Sequence, residues 1–199
     1  MIMKAYEGFK SEASGSSYPM LPVGAYVCEI KNVKIDGKEP DQKLILRLDI
    51  VEGEYAGYYT KRYEHDVGRN AQNHMYMTKY KGDFTLQIPN NANTGREHPE
   101  WDIKSFNNMV FCVEQSNDGY TWNWDEKSLK GKLVGINVRA GTYNGNAYTQ
   151  IGKLETVKDV RAGVCKPMKP KPDTNPPVAE ASADSTPSFT EVDTDELPF

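Results

Sequence analysis

The stretch QKLILRLDIV, residues 42–51, carries the clearest secondary-structure signal in the chain. Side chains of an extended strand alternate between two faces, so every second residue lies on the same side. One side of this stretch is entirely apolar and consists of Leu44, Leu46, Leu48 and Ile50. The other side carries Lys43, Arg47 and Asp49 along with Ile45 and Val51. We therefore predict a β-strand whose four even-numbered apolar side chains point into a core.

The preceding segment, residues 25–35, predicts a second strand that bends. Its apolar alternation runs from Tyr26 to Ile30 and then continues with the opposite parity at Val33. A change of parity within one strand indicates a β-bulge, which barrel strands use where they bend. The dipeptide Asp36-Gly37 is typical of the turn that ends such a strand.

A third strand is predicted over residues 58–63, after a break at residues 52–54. Its two faces would carry Tyr59, Lys61 and Tyr63 on one side and Tyr58, Thr60 and Arg62 on the other. The following residues, 65–98, are rich in Asn, Gly and His and predict a long insertion, with a short helix near residues 71–80. Insertions of this length are usually functional or mobile.

The second half of the chain predicts a helix followed by a hairpin. Between residues 102 and 115, apolar residues recur at spacings of three and four, which is typical of an amphipathic helix. Residues 132–139 then alternate as a strand. Asn144-Gly145 is a strong signal for a two-residue hairpin turn, and residues 147–157 form the return strand.

Three strands, a helix and two strands predict the fold class. We expect a mainly β domain over residues 21–165, a five-stranded OB-like barrel with a helix between strands 3 and 4. A generic small β-barrel or an α+β sheet has a compatible order. Residues 1–20 are polar and rich in Ser and Gly, and they predict a flexible N-terminal arm.

Charge is unevenly distributed along the 199 residues, whose formal net charge is −4. Residues 1–165 contain 21 Lys and Arg and 21 Asp and Glu, whereas residues 166–199 contain three Lys and seven acids. A neutral domain can still bind a polyanion, because the local field steers it. Residues 166–192 are proline-rich and nearly free of apolar bulk, which predicts a disordered acidic linker.

The last seven residues, 193–199, predict a partner-binding tip. Asp193, Asp195 and Glu196 precede the triplet Leu197-Pro198-Phe199. The Phe199 ring can fill a small apolar pocket while the terminal carboxylate pairs with a cation at its rim. The acids add long-range attraction to a basic partner.

This tip resembles the C-terminus of bacterial single-stranded DNA-binding proteins, which runs through several acids to an aliphatic residue, Pro and Phe. Thr194 departs from that pattern because it interrupts the acids. Further segments resemble a phage-encoded protein family of Gram-positive hosts, namely residues 24–26, 49–55, 106–110, 114–117, 119–125, 129–135 and 160–163. The resemblance implies single-stranded DNA binding in phage replication or recombination. It also implies recruitment of host or phage replication, recombination and repair proteins through the tip.

Aromatic residues interleaved with cations are the second functional signal. Single-strand binders stack bases on aromatic rings and run the backbone along Lys and Arg. The predicted DNA-binding residues are Arg47, Tyr59, Lys61, Arg62, Tyr63, Trp122, Trp124, Lys132, Arg139, Tyr143 and Tyr148. For the two tryptophans we favour packing against the helix over base stacking.

Alternatives from other classes remain open. The chain could be an adaptor that engages host replication proteins through the tip without binding DNA. Asp49, Glu52 and Glu54 could indicate a metal-dependent nuclease, although acids at a strand end usually form a solvated turn. A zinc site built from the group His65, His74, His98 and Cys112 matches no common ligand spacing. We therefore predict no enzymatic activity, no metal and no cofactor.

The cysteines and the apolar runs bear on location. The three cysteines, Cys28, Cys112 and Cys165, are widely spaced and odd in number, which favours free thiols in a reducing cytoplasm. No apolar run approaches the ~20 residues that span a bilayer. We expect a cytoplasmic protein of an infected bacterium, and a homo-oligomer is possible.

Overall fold

The structure is a computed structural model that describes residues 18–72, 78–89 and 99–173. The predicted tip, residues 193–199, lies outside these ranges, as do most of the predicted arm and linker. Within the described ranges, no helix has the length and apolarity needed to cross a membrane.

Five antiparallel strands form a single sheet. They are β1 (Gly24–Asp36), β2 (Lys43–Ile50), β3 (Asp83–Gln87), β4 (Leu133–Tyr143) and β5 (Asn146–Glu155), in the order β3-β2-β1-β4-β5. The helices are α1 (Tyr58–Gln72), α2 (Pro99–Ser116) and α3 (Val157–Arg161), with a short 3-10 helix over Glu126–Leu129. No pairing between the described parts of β3 and β5 closes the sheet into a barrel. The mainly β fold is thus confirmed, as an open sheet.

The alternating strand predicted over residues 42–51 forms the centre of the core. All four of its even-numbered apolar side chains are buried, as predicted: Leu44, Leu46, Leu48 and Ile50. They lie beside β1, where Cys28 is paired with Ile50 and Ile30 with Leu48. Burial of these side chains provides much of the free energy that holds the sheet together.

The predicted bulge in the first strand is confirmed. The register between β1 and β2 shifts between Ile30 and Asn32, where the apolar parity changes. Beyond the shift, Val33 packs against the core, whereas Ile35 is exposed near the strand end. The extra residue bends β1, so this single strand can pair with β2 along one part and with β4 along another.

The third strand was placed wrongly: residues 58–63 form the start of α1. Gly57 turns the chain with a φ of 75°, which a residue with a Cβ rarely adopts. The buried carboxylate of Asp49 then accepts hydrogen bonds from the Tyr59 amide at 3.0 Å and from the Thr60 hydroxyl, in the manner of a helix cap. The short period-2 pattern could not reveal that contact.

The true third strand, β3, lies inside the segment that we predicted to be an insertion. It pairs with β2 from Lys43–Gln87 to Arg47–Asp83. Of the short helix predicted near residues 71–80, Ala71 and Gln72 belong to the end of α1, residues 78–80 are not helical, and residues 73–77 lie outside the described residues. The predicted helix between the third and fourth strands is present as α2, but the predicted order lacked α1, which lies between β2 and β3, and α3, which follows β5.

The second half of the chain follows its sequence pattern closely. Helix α2 covers the predicted range and begins three residues earlier. The β4–β5 hairpin turns at Asn144 and Gly145, whose φ angles of 49° and 74° are the positive values that a two-residue turn needs. Both the helix and the hairpin predictions are confirmed.

Residues 164–173 lie against the β4–β5 hairpin. The Lys166 carbonyl accepts from the Asn137 side chain at 3.0 Å, and the Lys171 amide donates to the Ala140 carbonyl at 2.9 Å. Near the turn, the Gly145 amide donates to Asp173 at 3.0 Å. The first residues of the predicted linker therefore contact the sheet as far as Asp173.

Candidate nucleic-acid interface

Three planar groups lie in series where β2 meets α1. The Arg47 guanidinium sits 4.7 Å from the centroid of the Tyr80 ring, and Tyr80 lies 5.7 Å from the ring of Tyr63. Tyr63 is 37% exposed, so part of its ring faces solvent. Asp83 on the neighbouring strand holds Arg47 through two hydrogen bonds of 3.0 and 3.2 Å. We call Arg47, Tyr63 and Tyr80 the planar series.

Hydrogen bonds and packing hold Tyr80 in place. Its hydroxyl donates to the Leu48 carbonyl at 3.2 Å and lies 3.3 Å from the Thr60 hydroxyl. Its ring packs over Tyr59, with 6.4 Å between centroids. Burial raises the pKa of Tyr80 to about 12, so the phenol is neutral and able to donate at neutral pH. The central ring of the planar series is therefore pre-positioned.

Tyr59 supports this surface from below. It is only 4% exposed and belongs to the hydrophobic core, so its ring has no free face for a base. Burial also raises its pKa far above the usual range. Its predicted companion on one strand face, Lys61, points elsewhere in the helix and donates to the Ala56 carbonyl at 2.9 Å.

A basic cavity lies on the other side of α1. Its volume is about 420 Å³, and its walls are Tyr18, Arg62, Asp66, Arg69, Asn70, Thr78, Lys79 and Lys81. The sequence places Arg62 next to Tyr63, and Lys79 and Lys81 flank Tyr80. The cavity and two members of the planar series, Tyr63 and Tyr80, therefore come from the same two segments, whereas Arg47 comes from β2.

A second aromatic cluster joins α2 to the loop that follows it. The rings of Trp122 and Trp124 are 4.9 Å apart, and Phe106 lies 5.8 and 6.2 Å from them. Trp122 is partly buried against the core, in line with the packing that we favoured. Trp124 is 75% exposed and has a φ of 66°. Acids accompany this cluster, and Glu114 accepts a hydrogen bond from the Trp122 amide at 2.9 Å.

The remaining predicted residues lie on other elements. Lys132 sits 4.3 Å above the Tyr120 ring. On the β4–β5 hairpin, the Tyr148 ring covers Gly141, where a Cβ would approach it to 2.6 Å. With its oxygen turned towards Arg139, the Gln150 amide accepts from the guanidinium at 3.0 and 3.1 Å. Tyr143 near the turn is exposed.

Two of the three acids of the nuclease alternative, Asp49 and Glu52, have structural partners. Asp49 caps α1, and the Arg161 guanidinium donates to Glu52 at 3.3 Å through its Nε. This ion pair lowers the pKa of Glu52. In the part of the chain that the structure describes, no three His, Cys, Asp or Glu side chains are grouped as metal ligands. His74 and His98 lie outside it.

Sequence reasoning missed Tyr80, Lys79 and Lys81. The signal was available, because Lys79-Tyr80-Lys81 repeats the interleaving of cations and aromatics that identified the other candidates. It was overlooked because residues 65–98 show no clear hydrophobic period that would assign them to a strand or a helix. Of the predicted residues, the structure brings Arg47 and Tyr63 together and places Arg62 beside them.

The comparisons with protein families and with curated proteins give no information on the function of this chain. No protein-family model matches the chain, and no curated protein matches it. The resemblances noted in the sequence therefore stay predictions.

Proposed function

We propose that this protein binds single-stranded DNA without catalysis and recruits genome-maintenance proteins through residues 193–199. The observation that carries the DNA-binding part is the planar series beside the basic cavity. Aromatic rings give a base a flat surface to stack on, and nearby cations attract the phosphates. A guanidinium adds a further planar, charged surface of the same kind.

The open sheet is compatible with an OB-like barrel. Closing such a barrel requires the two edge strands, β3 and β5, to lie closer together. Both edge strands lie near α2: Phe84 of β3 and Leu154 of β5 line one cavity with Lys104 and Asn108 of the helix. The helix between the third and fourth strands is where such a barrel carries one. These placements favour a partly open barrel, whose binding face would include β2 and β3.

The proposed division of labour separates the sheet from the tip. The Asp173 carboxylate contacts the hairpin, and 19 residues follow before Asp193. An extended polar chain of this length would reach tens of ångströms from the hairpin. The tip could then engage host or phage replication proteins in the bacterial cytoplasm while the sheet holds DNA.

Titration of a fluorescent oligothymidine tests the DNA-binding function. We expect binding that weakens steeply with salt, because counterions released from the strand dominate such affinity. A double-stranded oligonucleotide of the same length is the control and should bind less tightly. If the protein leaves oligothymidine unbound but still binds a partner through its tip, the adaptor function replaces this proposal.

Deletion of residues 197–199 tests the tip. The truncated chain should lose binding to a host replication-restart helicase, because the apolar anchor and its carboxylate are gone. Its affinity for oligothymidine should be unchanged, or slightly higher at low salt where acidic residues are least screened. Calorimetry with the helicase and anisotropy with the oligonucleotide measure the two effects. Retained helicase binding, or lost DNA binding, would contradict the division of labour.

A further inference from the structure

The basic cavity beside α1 is open to solvent, and contacts between the two segments that form it hold its walls together. The Asn70 side chain donates to the Thr78 hydroxyl at 2.7 Å, which joins the helix to the residues before Tyr80. The Tyr18 ring packs 5.4 Å from Tyr58 and 5.4 Å from His65 and so covers the opposite side. The cavity is therefore a formed feature of the fold.

The charges around this cavity are strongly unbalanced. Four cations line it and only one acid, Asp66. Arg62 lies 3.8 Å from Asp66, and His65 lies 3.2 Å from it. Within the described residues, Arg69, Lys79 and Lys81 have no ion-pair partner. Cations held together without acids create a local positive field that attracts anions.

Arg62 gives the cavity a fixed donor. One of its terminal nitrogens donates to the Tyr58 hydroxyl at 3.2 Å, which holds the guanidinium in place. Its Nε is buried and has no hydrogen-bond acceptor in the described part of the chain. The buried Nε faces Asp66 at 3.8 Å, so a phosphate would meet the terminal nitrogens of this guanidinium, which are suited to phosphate oxygens.

The cavity and the planar series are connected through the backbone. Lys79 and Lys81 adjoin Tyr80, and Arg62 adjoins Tyr63. We propose that the basic cavity binds backbone phosphates of the same single strand whose bases stack on the planar series. This inference rests on the proposed function and specifies the path of the strand: bases on the β2 side of α1, phosphates on the Arg69 side.

The experiment compares a normal and an abasic strand. Lys79→Ala/Lys81→Ala removes two exposed cations from the cavity, and Lys158→Ala on α3 is the matched control for a lost surface lysine. Each protein is titrated with oligothymidine and with an abasic oligonucleotide of equal length over a salt series. The abasic strand keeps the phosphates and lacks the bases, so it reports backbone contacts alone.

We expect the double variant to bind both strands more weakly. Its plot of log affinity against log salt should be shallower by about 1.4, since each phosphate contact to a single strand contributes about 0.7. Lys158→Ala should leave the slope unchanged. Urea denaturation should show equal stability for all three proteins, because the replaced side chains are exposed.

Two results would overturn the inference while leaving DNA binding in place. One is an unchanged slope in the double variant. The other is a loss seen only with strands that carry a 5′-phosphate, which would assign the cavity to a terminal phosphate. A wild-type protein that binds neither strand would instead reject the proposed function, and the cavity assignment with it.

Discussion

Two aromatic clusters on this chain offer similar ring surfaces in opposite electrostatic surroundings. The planar series, Arg47, Tyr63 and Tyr80, adjoins a cavity with four cations and one acid. The second cluster consists of Phe106 on α2 and Trp122 and Trp124 in the following loop, and its Trp124 ring is larger and more exposed than the ring of Tyr63. Its own loop contains Asp118, Asp125 and Glu126, with Lys127 as the nearest cation in sequence.

The difference shows that ring exposure alone does not identify a base-stacking site. Base stacking adds to the affinity for DNA only where cations also attract the phosphates of the DNA strand. Trp124 is the most exposed aromatic in the described residues, yet acids surround it in the sequence. The proposed function therefore assigns base stacking to the less exposed planar groups of Tyr63 on α1, Arg47 on β2 and Tyr80 before β3.

The largest effect is expected when Asp49 is replaced. Its carboxylate connects the sheet to the start of α1, the helix that carries Tyr63 of the planar series. In Asp49→Ala, the Tyr59 amide and the Thr60 hydroxyl lose their buried acceptor. Two of the donors to this carboxylate are buried, the amides of Ile50 and Tyr59. Each unsatisfied buried donor costs about 1–3 kcal/mol, so the free energy of unfolding should fall by about 2–6 kcal/mol in urea denaturation. Glu52→Ala is the control, since it removes an acid from an exposed ion pair that contributes less than about 1 kcal/mol. Equal losses would contradict the capping role.

The next effect compares the two clusters directly. Tyr63→Ala should weaken oligothymidine binding by about 1–3 kcal/mol, because a stacked base is lost. Tyr63→Phe keeps the ring and should bind as the wild type does. Trp124→Ala should change the affinity less than about twofold, within the scatter of anisotropy titrations for a residue outside the site. A larger loss for Trp124→Ala than for Tyr63→Ala would move the DNA to the second cluster.

The smallest expected effect tests whether charge is the reason that only one of the two aromatic clusters is proposed to bind DNA. Asp118→Lys/Glu126→Lys places two cations in the tryptophan loop. At low salt, the affinity for oligothymidine should rise by about 2- to 5-fold, because screening is weakest there. Bound DNA should then also quench tryptophan fluorescence, which the wild-type protein should not show. Unchanged fluorescence in the variant would mean that ring geometry, rather than charge, keeps DNA off this cluster.

Sequence patterns correctly predicted the elements that depend on a local turn or on the periodic spacing of apolar residues. The inward face of β2, the bulge of β1, helix α2 and the Asn144-Gly145 turn all depend on spacing within a short segment. The strand prediction for residues 58–63 was wrong because a pattern of only six residues fits both the period of a strand and the period of a helix. The contact that favours the helix there comes from Asp49, ten residues before Tyr59.

The sequence by itself determined which residues have the chemistry to stack and to attract a polyanion, its aromatics and its cations, and it predicted the Leu197-Pro198-Phe199 tip as an anchor. Only the tertiary structure decided which of them meet. Arg47, Tyr63 and Tyr80 are far apart in sequence and become neighbours because α1 folds back over β2 and the chain returns as β3. Tyr59 was buried by the same packing, although it is as aromatic as Tyr63. Composition sets the chemistry of each side chain, while its access to a ligand depends on long-range packing that no local pattern records.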